Sequence, residues 1–446
     1  MLSIIGFIMV LLIILLLLRG KSLPVVVMFV VPIIAALFAG FHLSEVGTFV
    51  MDGINKVTGI IAMFIFAILY FGVMTKAGLF EPLIRKLVKS AGNNIVAVAM
   101  VTAIIAMLAH IEGVGAATFL ITIPALLPIY RRLNMRPTTL LLLVGLSAGT
   151  MNMIPWGGPT LRAATTLDMD VVELWKPLIP IQIIGLLTIL IMTYIIAKIE
   201  IKRGAGIHNS ADALLSSGTS FAQSDPLEQL DNMDEKFGDL LRPKLWWFNV
   251  SLTIAAIGVL VWGVVPPAVV FMAALTIALP INYRGVEVQS HLIKIFSPEA
   301  ILMATVLMAA GSFLGILSGT GMVDVMASDI VRIIPDAFGP YLHIIIGFLG
   351  VPLGMIFGPD PYYFGILPIV VEVLNTHGVP PEMVARAMLI GENVGFPISP
   401  MVPSVYLAVG LAGVSIGEHI KRSFFWFWGL GIVLMIAALI LGVISA

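Results

Sequence analysis

The 446-residue chain contains no cysteine and few charged residues. The absence of cysteine excludes disulfide bonds, thiolate metal sites and cysteine nucleophiles. Charged residues make up 11% of the chain, whereas hydrophobic residues make up 59%. A soluble protein cannot keep that much apolar surface from water with so few charges, so the composition excludes soluble enzymes, nucleic-acid-binding proteins and disordered scaffolds. The composition is typical of a polytopic protein whose helices cross a lipid bilayer.

Eight apolar segments are long enough to be membrane spans, given a hydrocarbon core about 30 Å thick and about 1.5 Å of helix per residue. They are residues 2–18, 23–41, 59–75, 177–197, 246–265, 267–281, 300–317 and 424–444. The first segment is not a secretory signal, because no basic residue precedes it and Arg19 and Lys21 follow it. Two further regions, 95–166 and 341–411, are apolar but interrupted by glycine, proline and polar residues. We expect broken helices there.

The distribution of basic residues predicts the topology. We expect each interrupted region to contain a re-entrant hairpin, at about 95–130 and 341–375, and then a broken helix, at about 138–170 and 381–412. The chain then has ten crossings and both termini outside, with 19 of the 24 Lys and Arg residues on the cytoplasmic side. The positive-inside rule supports this multi-pass orientation in a cell inner membrane. The polar stretch 201–245 is then a cytoplasmic linker between two halves, 1–200 and 246–446.

The two interrupted regions resemble each other when they are aligned with a shift of 244 residues (368 minus 124). The alignment superposes Pro124 on Pro368, Pro137 on Pro381, Pro159 on Pro403, and Thr160 on Ser404. Because each half has five crossings, the second copy enters the membrane from the opposite side, which predicts an inverted-topology repeat. Such repeats are typical of secondary transporters, whose sites lie where broken helices meet near the midplane. The predicted fold is an all-α polytopic membrane protein with two re-entrant hairpins and two interrupted helices.

The first hairpin tip, residues 110–118, combines ionisable side chains with glycine. Gly113 and Gly115 allow a tight turn and a close approach of the backbone to a ligand. His110 and Glu112 at membrane depth indicate an ion or proton pathway. The alternative is that the two side chains pair with each other and fix the hairpin.

The second break, residues 150–162, contains the sequence Pro-Trp-Gly-Gly-Pro, which cannot continue a helix. The next half-helix begins near Thr160, so its free amides and positive dipole end would face an anion. Arg162 adds a fixed charge with bidentate geometry for a carboxylate. The alternative is a packed kink with Arg162 extending toward the membrane surface. The predicted anion ligands of this break are Asn152, Gly157, Gly158, Thr160 and Arg162.

The third break, residues 357–365, is the predicted tip of the second hairpin. Asp360 lies between two prolines there and follows Gly358, a candidate substrate ligand. A carboxylate held this rigidly either binds a cation or carries a proton. The alternative is a turn acid exposed to water at the external mouth.

The fourth break, residues 391–404, offers several oxygen ligands. Glu392 and Asn393 supply side-chain oxygens, and Ser399 supplies a hydroxyl group. We expect Ser404 to cap the half-helix that follows. The alternative for Glu392 is a structural ion pair with Arg386.

These motifs resemble those of the citrate/metal:proton symporter family (CitMHS), in the ion transporter superfamily that also contains dicarboxylate carriers of the INDY type. The specific stretches are FLITIPALLPIYRR at 119–132, MNMIPWGGPTLRAA at 151–164, YYFGILP at 362–368, and SPMVPS at 399–404 with GLAG at 410–413. The resemblance covers nearly the whole chain. It implies proton-coupled symport of citrate complexed with a divalent cation such as Mg or Ca, without a permanently bound cofactor. It also implies an elevator motion of a transport domain against a scaffold, and a homodimer.

The function predicted from the residues and the resemblance is proton-coupled transport of citrate or a related carboxylate. Two sets of residues are predicted to carry it out. The proton or metal set is His110, Glu112, Asp360 and Glu392. The substrate set is Gly113, Gly115, Asn152, Gly157, Gly158, Thr160, Arg162, Gly358, Asn393, Ser399 and Ser404.

Two alternatives stay open within transport, a sodium/proton antiporter and a carrier of a different organic anion. An antiporter needs carboxylates but has little use for Arg162. An intramembrane protease is disfavoured, because the sequence has no His-Glu-x-x-His motif, no cysteine and no second aspartate near Asp360. We therefore expect a transporter and not an enzyme.

Overall fold

The computed structural model describes residues 1–19, 21–113, 115–206, 240–332 and 338–445. All regular secondary structure within these ranges is helical. The predicted linker at 201–245 falls mostly outside the described residues, since residues 207–239 are not among them.

The first half contributes ten α-helices within the described residues. They are α1 (Leu2–Leu18), α2 (Pro24–Phe38), α3 (Leu43–Lys76), α4 (Glu81–Ala91), α5 (Ile95–Ala109), α6 (Gly115–Arg132), α7 (Pro137–Met151), α8 (Gly158–Leu167), α9 (Val171–Trp175) and α10 (Ile179–Lys202). A single 3₁₀ turn, His110–Glu112, stands between α5 and α6.

The second half contributes ten more within the same ranges. They are α11 (Trp246–Trp262), α12 (Pro267–Asn282), α13 (Val286–Gly319), α14 (Met322–Val331), α15 (Leu342–Phe348), α16 (Gly350–Phe357), α17 (Leu367–Asn375), α18 (Pro381–Gly395), α19 (Pro403–Ala412) and α20 (Ile416–Ile440). A π-helical turn, Pro361–Ile366, precedes α17, and a 3₁₀ turn, Phe396–Ile398, follows α18.

Helices at equivalent positions in the two halves have matching lengths. Helices α3 and α13 each have 34 residues, α1 and α11 each have 17, and α8 and α19 each have 10. Helices α7 and α18 have 15 residues each and begin at Pro137 and Pro381. Proline is favoured at a first helical position because its fixed φ suits the helix and its missing N–H would have no partner there. The repeated prolines therefore set the same helix start in both halves.

Six helical segments are long and apolar enough to cross a membrane, or eight if each bent pair counts as one span. One bent pair is α15 with α16, at 69°, and the other is α18 with α19, at 41°. Five shorter apolar helices accompany them in the described part of the chain. The chain is thus an all-helical multi-pass membrane protein. The ten crossings, their orientation and the inverted relation of the halves stay predictions.

The two 34-residue helices, α3 and α13, pack against each other at glycines. A Cβ atom on Gly315 would overlap the carbonyl oxygen of Phe49, and one on Gly53 would overlap the carbonyl oxygen of Gly311. Absence of side chains at these positions lets the two backbones touch. This close crossing joins the first half of the chain to the second.

Several predicted boundaries were wrong. Helix α3 begins at Leu43 instead of 59, and α13 begins at Val286 instead of 300, because polar residues in their first halves do not interrupt the helix. The returning arm of the first hairpin, α6, has 18 residues, and its two internal prolines do not end it. At about 1.5 Å per residue it extends about 27 Å.

Candidate functional site

A cavity of about 430 Å³ lies where the four predicted breaks meet. Eight of the fifteen predicted site residues line it, and they come from all four breaks: Gly113, Gly115, Asn152, Gly158, Arg162, Gly358, Asp360 and Ser404. The other seven are buried and are not part of its lining: His110, Glu112, Gly157, Thr160, Glu392, Asn393 and Ser399. The loop between α1 and α2, through Ser22 and Leu23, and Met303 of α13 complete the wall.

His110 connects the first hairpin tip to the second break. Its Nδ1 lies 2.8 Å from the hydroxyl of Thr118, and its Nε2 lies 3.3 Å from Oδ1 of Asn152. Because an amide oxygen only accepts, Nε2 carries the donated proton. The ring also stacks on Phe396 of the fourth break, with centroids 6.2 Å apart. His110 therefore does not pair with Glu112, and it holds three of the breaks together.

Glu112 is buried beside the same tip. The hydroxyl of Thr75, in α3, donates to Oε2 of Glu112 at 3.4 Å, whereas Oε1 is buried with no hydrogen-bond partner among the described residues. The turn that follows requires glycine, because Gly113 has a φ of 81° and a Cβ there would lie 2.9 Å from the Trp156 ring. The indole Nε1 of Trp156 donates to the carbonyl of Ile111 at 2.6 Å. The tip is thus clamped against the second break.

Arg162 lies in the first turn and a half of α8 and pairs with an acid from the other half of the chain. Its Nε donates to Oδ1 of Asp360 at 2.6 Å, and the two side chains are 8% and 18% exposed. Its Nη1 lies where a side chain on Gly158 would be, 2.7 Å from a Cβ built there. The guanidinium group therefore stands over the N-terminus of α8, and Arg162 lines the cavity. The sequence predicted both residues as ligands but not their pairing.

The start of α8 presents free backbone donors. The first intrahelical bond in this turn is donated by Leu161 to the carbonyl of Gly157, so the amides of Gly158 and Thr160 precede it. The hydroxyl of Thr160 donates to the carbonyl of Met153 at 3.1 Å and closes the break internally. Helix dipole, free amides and Arg162 all favour an anion at this end of the cavity.

The fourth break contains a fully buried acid. Glu392 accepts a hydrogen bond from the hydroxyl of Tyr363 at 2.9 Å, and its Oε1 has no partner among the described residues. Tyr363 belongs to the π-helical turn after Asp360. Asn393 donates to the carbonyl of Leu389 at 2.9 Å, and its side-chain oxygen has no partner in the described part of the chain.

One expectation and one alternative for this break were wrong. Ser404 does not cap α19, because the N-cap is Val402 and makes no side-chain capping bond. Ser404 instead lies inside the first turn and borders the cavity, next to Gly115. Arg386 does not pair with Glu392, since its guanidinium donates to the carbonyls of Glu173 and Leu174. Ser399 also has its own partners, because its hydroxyl donates to the carbonyl of Met355 and accepts from the amide of Met401.

A second cavity of about 440 Å³ adjoins the first. It shares Gly113, Gly115, Gly158 and Ser404 with the first cavity, and Glu299 of α13 also lines it. The sequence prediction missed Glu299 because this acid lies just before the predicted segment 300–317. The sequence feature that could have identified Glu299 is an acid next to Pro298 at the edge of an apolar run. Within the described residues, no group of three or more His, Asp or Glu side chains is arranged to hold a metal ion on its own.

Comparisons with known proteins identify the family. The profile described as CitMHS, citrate transporter, matches residues 1–391. A Bacillus subtilis protein named "Citrate transporter" is 38% identical over 445 residues, covering 100% of both chains. Another, named "Mg(2+)/citrate complex secondary transporter", is 37% identical over 445 residues, covering 100% of this chain and 99% of its own.

Two solved transporters share the fold at low sequence identity. The Alcanivorax borkumensis YdaH transporter has a TM-score of 0.56 at 16% identity, covering 88% of this chain and 87% of its own. Neisseria gonorrhoeae MtrF has a TM-score of 0.62 at 15% identity, covering 93% and 94%. The match to the family profile and the full-length relatives show that this chain belongs to the CitMHS family of citrate transporters.

Proposed function

We propose that the chain is a secondary active transporter for proton-coupled uptake of citrate or a related carboxylate, carried as a complex with a divalent metal. Family membership and the names of the two Bacillus relatives support citrate as the substrate. The observation that carries the proposal is Arg162, held over the N-terminus of α8 and lining a cavity to which all four breaks contribute.

The anion end of the site is built from fixed groups. Arg162 brings a permanent charge, and the amide of Gly158 adds a donor at the positive end of the helix dipole. Ser404 also lines the cavity and offers a hydroxyl group near the start of α19. A carboxylate between these two half-helix starts meets donors from both halves of the chain.

Proton coupling requires an ionisable group at membrane depth. Glu392 is a strong candidate, because it is fully buried and Tyr363 connects it to the same tip as Asp360. His110 and Glu112 are buried beside the first tip and are the other candidates, together with Asp360 itself.

The architecture we propose is the inverted repeat with an elevator motion. Residues 1–200 and 246–446 form the two repeats, joined by a cytoplasmic linker, and both termini lie outside the inner membrane. The hairpins and broken helices form the moving part, because they enclose the cavity, and the glycine-paired helices α3 and α13 belong to the scaffold. A homodimer through scaffold helices completes the proposal.

The test is uptake of radiolabelled citrate into proteoliposomes under an imposed inward proton gradient, with Mg, Ca or no metal. We expect uptake that requires both metal and gradient, and its loss in Arg162→Ala. Arg332→Ala is the matched control, because Arg332 is exposed and its ion pair among the described residues is a surface pair with Asp329. A sodium gradient in place of the proton gradient tests the coupling ion.

Other outcomes would redirect the proposal. If folded protein takes up no citrate but another carboxylate with the same dependence on Arg162, the substrate is a different organic anion. If no carboxylate is taken up and sodium/proton exchange survives in Arg162→Ala, the chain is an antiporter.

A further inference from the structure

Three arginines from both halves of the chain converge on one buried acid, away from the cavity. Glu200, in the last turn of α10, is fully buried. Nη2 of Arg136, the residue before α7, lies 2.7 Å from its Oε1, and Nη2 of Arg203, the residue after α10, lies 3.0 Å from its Oε2. Arg422, in the second turn of α20, lies 3.6 Å from Oε1. These three residues, the arginine cluster, all belong to segments predicted to be cytoplasmic.

Glu200 does not satisfy all three arginines. The amide of Arg136 and the hydroxyl of Thr139 also donate to its carboxylate, at 3.3 and 2.8 Å. These bonds and the side chains of Arg136 and Arg203 occupy both oxygens, whereas Arg422 stays beyond hydrogen-bond distance. Nε and Nη2 of Arg422 are buried without a hydrogen-bond partner among the described residues. Because an uncompensated charge is unfavourable, an added anion would stabilise the cluster.

The arginine cluster has a surplus of two positive charges, three guanidinium groups less one carboxylate. In the described part of the chain, no ion pair joins any of the three to another acid. Glu418, one turn before Arg422, instead caps its own helix by accepting from the amide of Ser415 at 3.1 Å. The arginine side chains are 34%, 34% and 23% exposed in chain order, so an anion can reach them from outside.

The surroundings of the arginine cluster are those of a lipid headgroup. Helices α10 and α20 pack against each other, and their outer faces expose Ile191, Ile195 and Phe425. In membrane helices such faces contact lipid chains. Tyr194 of α10 is exposed less than two turns before Glu200, and aromatic residues collect at the level of the headgroups. The cluster therefore lies where an apolar helix surface meets the membrane interface.

We propose that Arg136, Arg203 and Arg422 bind the phosphate group of an anionic phospholipid. A guanidinium group matches a phosphate with two parallel hydrogen bonds, and basic pockets between membrane helices on the cytoplasmic side bind lipid headgroups. The exposed apolar faces of α10 and α20 give the acyl chains a surface to lie on, which favours a lipid over free phosphate. Since α7 and α10 belong to the first half and α20 to the second, the bound lipid joins the two halves. The proposal does not depend on citrate transport.

The test is native mass spectrometry of the purified full-length protein in a neutral detergent, titrated with phosphatidylglycerol or with zwitterionic phosphatidylcholine. We expect phosphatidylglycerol to bind more tightly. Arg422→Gln should weaken its binding about fivefold, which corresponds to about 1 kcal/mol for one basic residue near a headgroup. Arg422→Lys keeps the charge and should retain most of the affinity. Arg85→Gln, which changes an exposed arginine paired with Glu81 on α4, is the matched control and should leave binding unchanged.

The outcomes either support or overturn the lipid site. Equal binding of the two lipids by the wild type overturns it, and so does equal affinity in Arg422→Gln and Arg85→Gln. If Arg422→Gln does not fold, Arg203→Gln removes a second cation of the arginine cluster and should weaken binding in the same way. Inorganic phosphate separates the two sources of the phosphate group. If it raises the melting temperature of the wild type as much as phosphatidylglycerol does, and has no effect on Arg422→Gln, the site recognises phosphate alone and the lipid assignment is wrong.

Discussion

Replacing Asp360 with asparagine tests the ion pair that joins the two halves at the cavity. Arg162 Nε and Asp360 Oδ1 are 2.6 Å apart, and the side chains are 8% and 18% exposed. Removing one partner of a buried ion pair costs about 3–5 kcal/mol, whereas an exposed pair contributes about 0–1 kcal/mol. Because Asp360 is partly open to the cavity, we expect Asp360→Asn to lower the free energy of unfolding by about 2 kcal/mol.

A bound substrate should offset part of this loss. A carboxylate beside Arg162 supplies the negative charge that the variant lacks, so the ligand binds the folded variant with an extra favourable interaction. We expect metal and citrate together to raise the melting temperature of Asp360→Asn by more than they raise that of the wild type. Thermal unfolding of the purified protein in detergent, with and without the ligand mixture, measures both effects.

The control is an ion pair of the same kind on the surface. Glu81 and Arg85 pair one turn apart on α4, and the side chain of Arg85 is 75% exposed. Glu81→Gln should change the free energy of unfolding by less than about 1 kcal/mol. The reasoning is refuted if Asp360→Asn is no less stable than this control, or if citrate stabilises it no more than it stabilises the wild type.

Three further substitutions and one control substitution probe the fold around the site. Gly315→Ala should lower the free energy of unfolding by about 1–3 kcal/mol, because the added methyl group separates α3 from α13. The control is Gly59→Ala, whose methyl group meets no neighbouring atom and should be neutral or stabilising. Gly113→Ala should lower the free energy of unfolding by about 1–2 kcal/mol, because Gly113 has a φ of 81°, and it should reduce citrate uptake. Full uptake at wild-type stability would contradict the contact between the hairpin tip and the second break. Tyr363→Phe should lower the free energy of unfolding by about 1–3 kcal/mol, because Glu392 loses its hydrogen-bond donor. An unchanged melting temperature would contradict that hydrogen bond.

Local rules of helix formation were enough to predict much of the fold. The paired prolines at 137 and 381 mark helix starts in both halves, and the structure begins α7 and α18 at those residues. The breaks at 110–118 and 150–162 were also predictable, since glycine and proline interrupt helices wherever they cluster. The long helices α3 and α13 were predicted too short, because a search for apolar runs stops at the first charged residues.

Pairing between distant residues was not predictable in the same way. Arg162 and Asp360 are 198 residues apart, and the sequence marks each as unusual without indicating that they meet. Arg386 lies near Glu392 in sequence but donates to the carbonyl groups of Glu173 and Leu174, because helix α18 packs against that segment. Glu299 follows Pro298 at the edge of an apolar run, and only the packing of the helices brings it to the same cavity as the tip glycines. Such contacts depend on how helices pack, which local patterns do not specify.

Equivalent helices of the two halves match in length, but the charged side chains at the site have no counterparts at the equivalent positions. With the shift of 244 residues, the position equivalent to Arg162 is Tyr406, and the position equivalent to Asp360 is Ala116. Glu392 likewise corresponds to alanine in the first half. The starts of α8 and α19 both border one cavity. Arg162 distinguishes the start of α8, because Tyr406 occupies the equivalent position in α19.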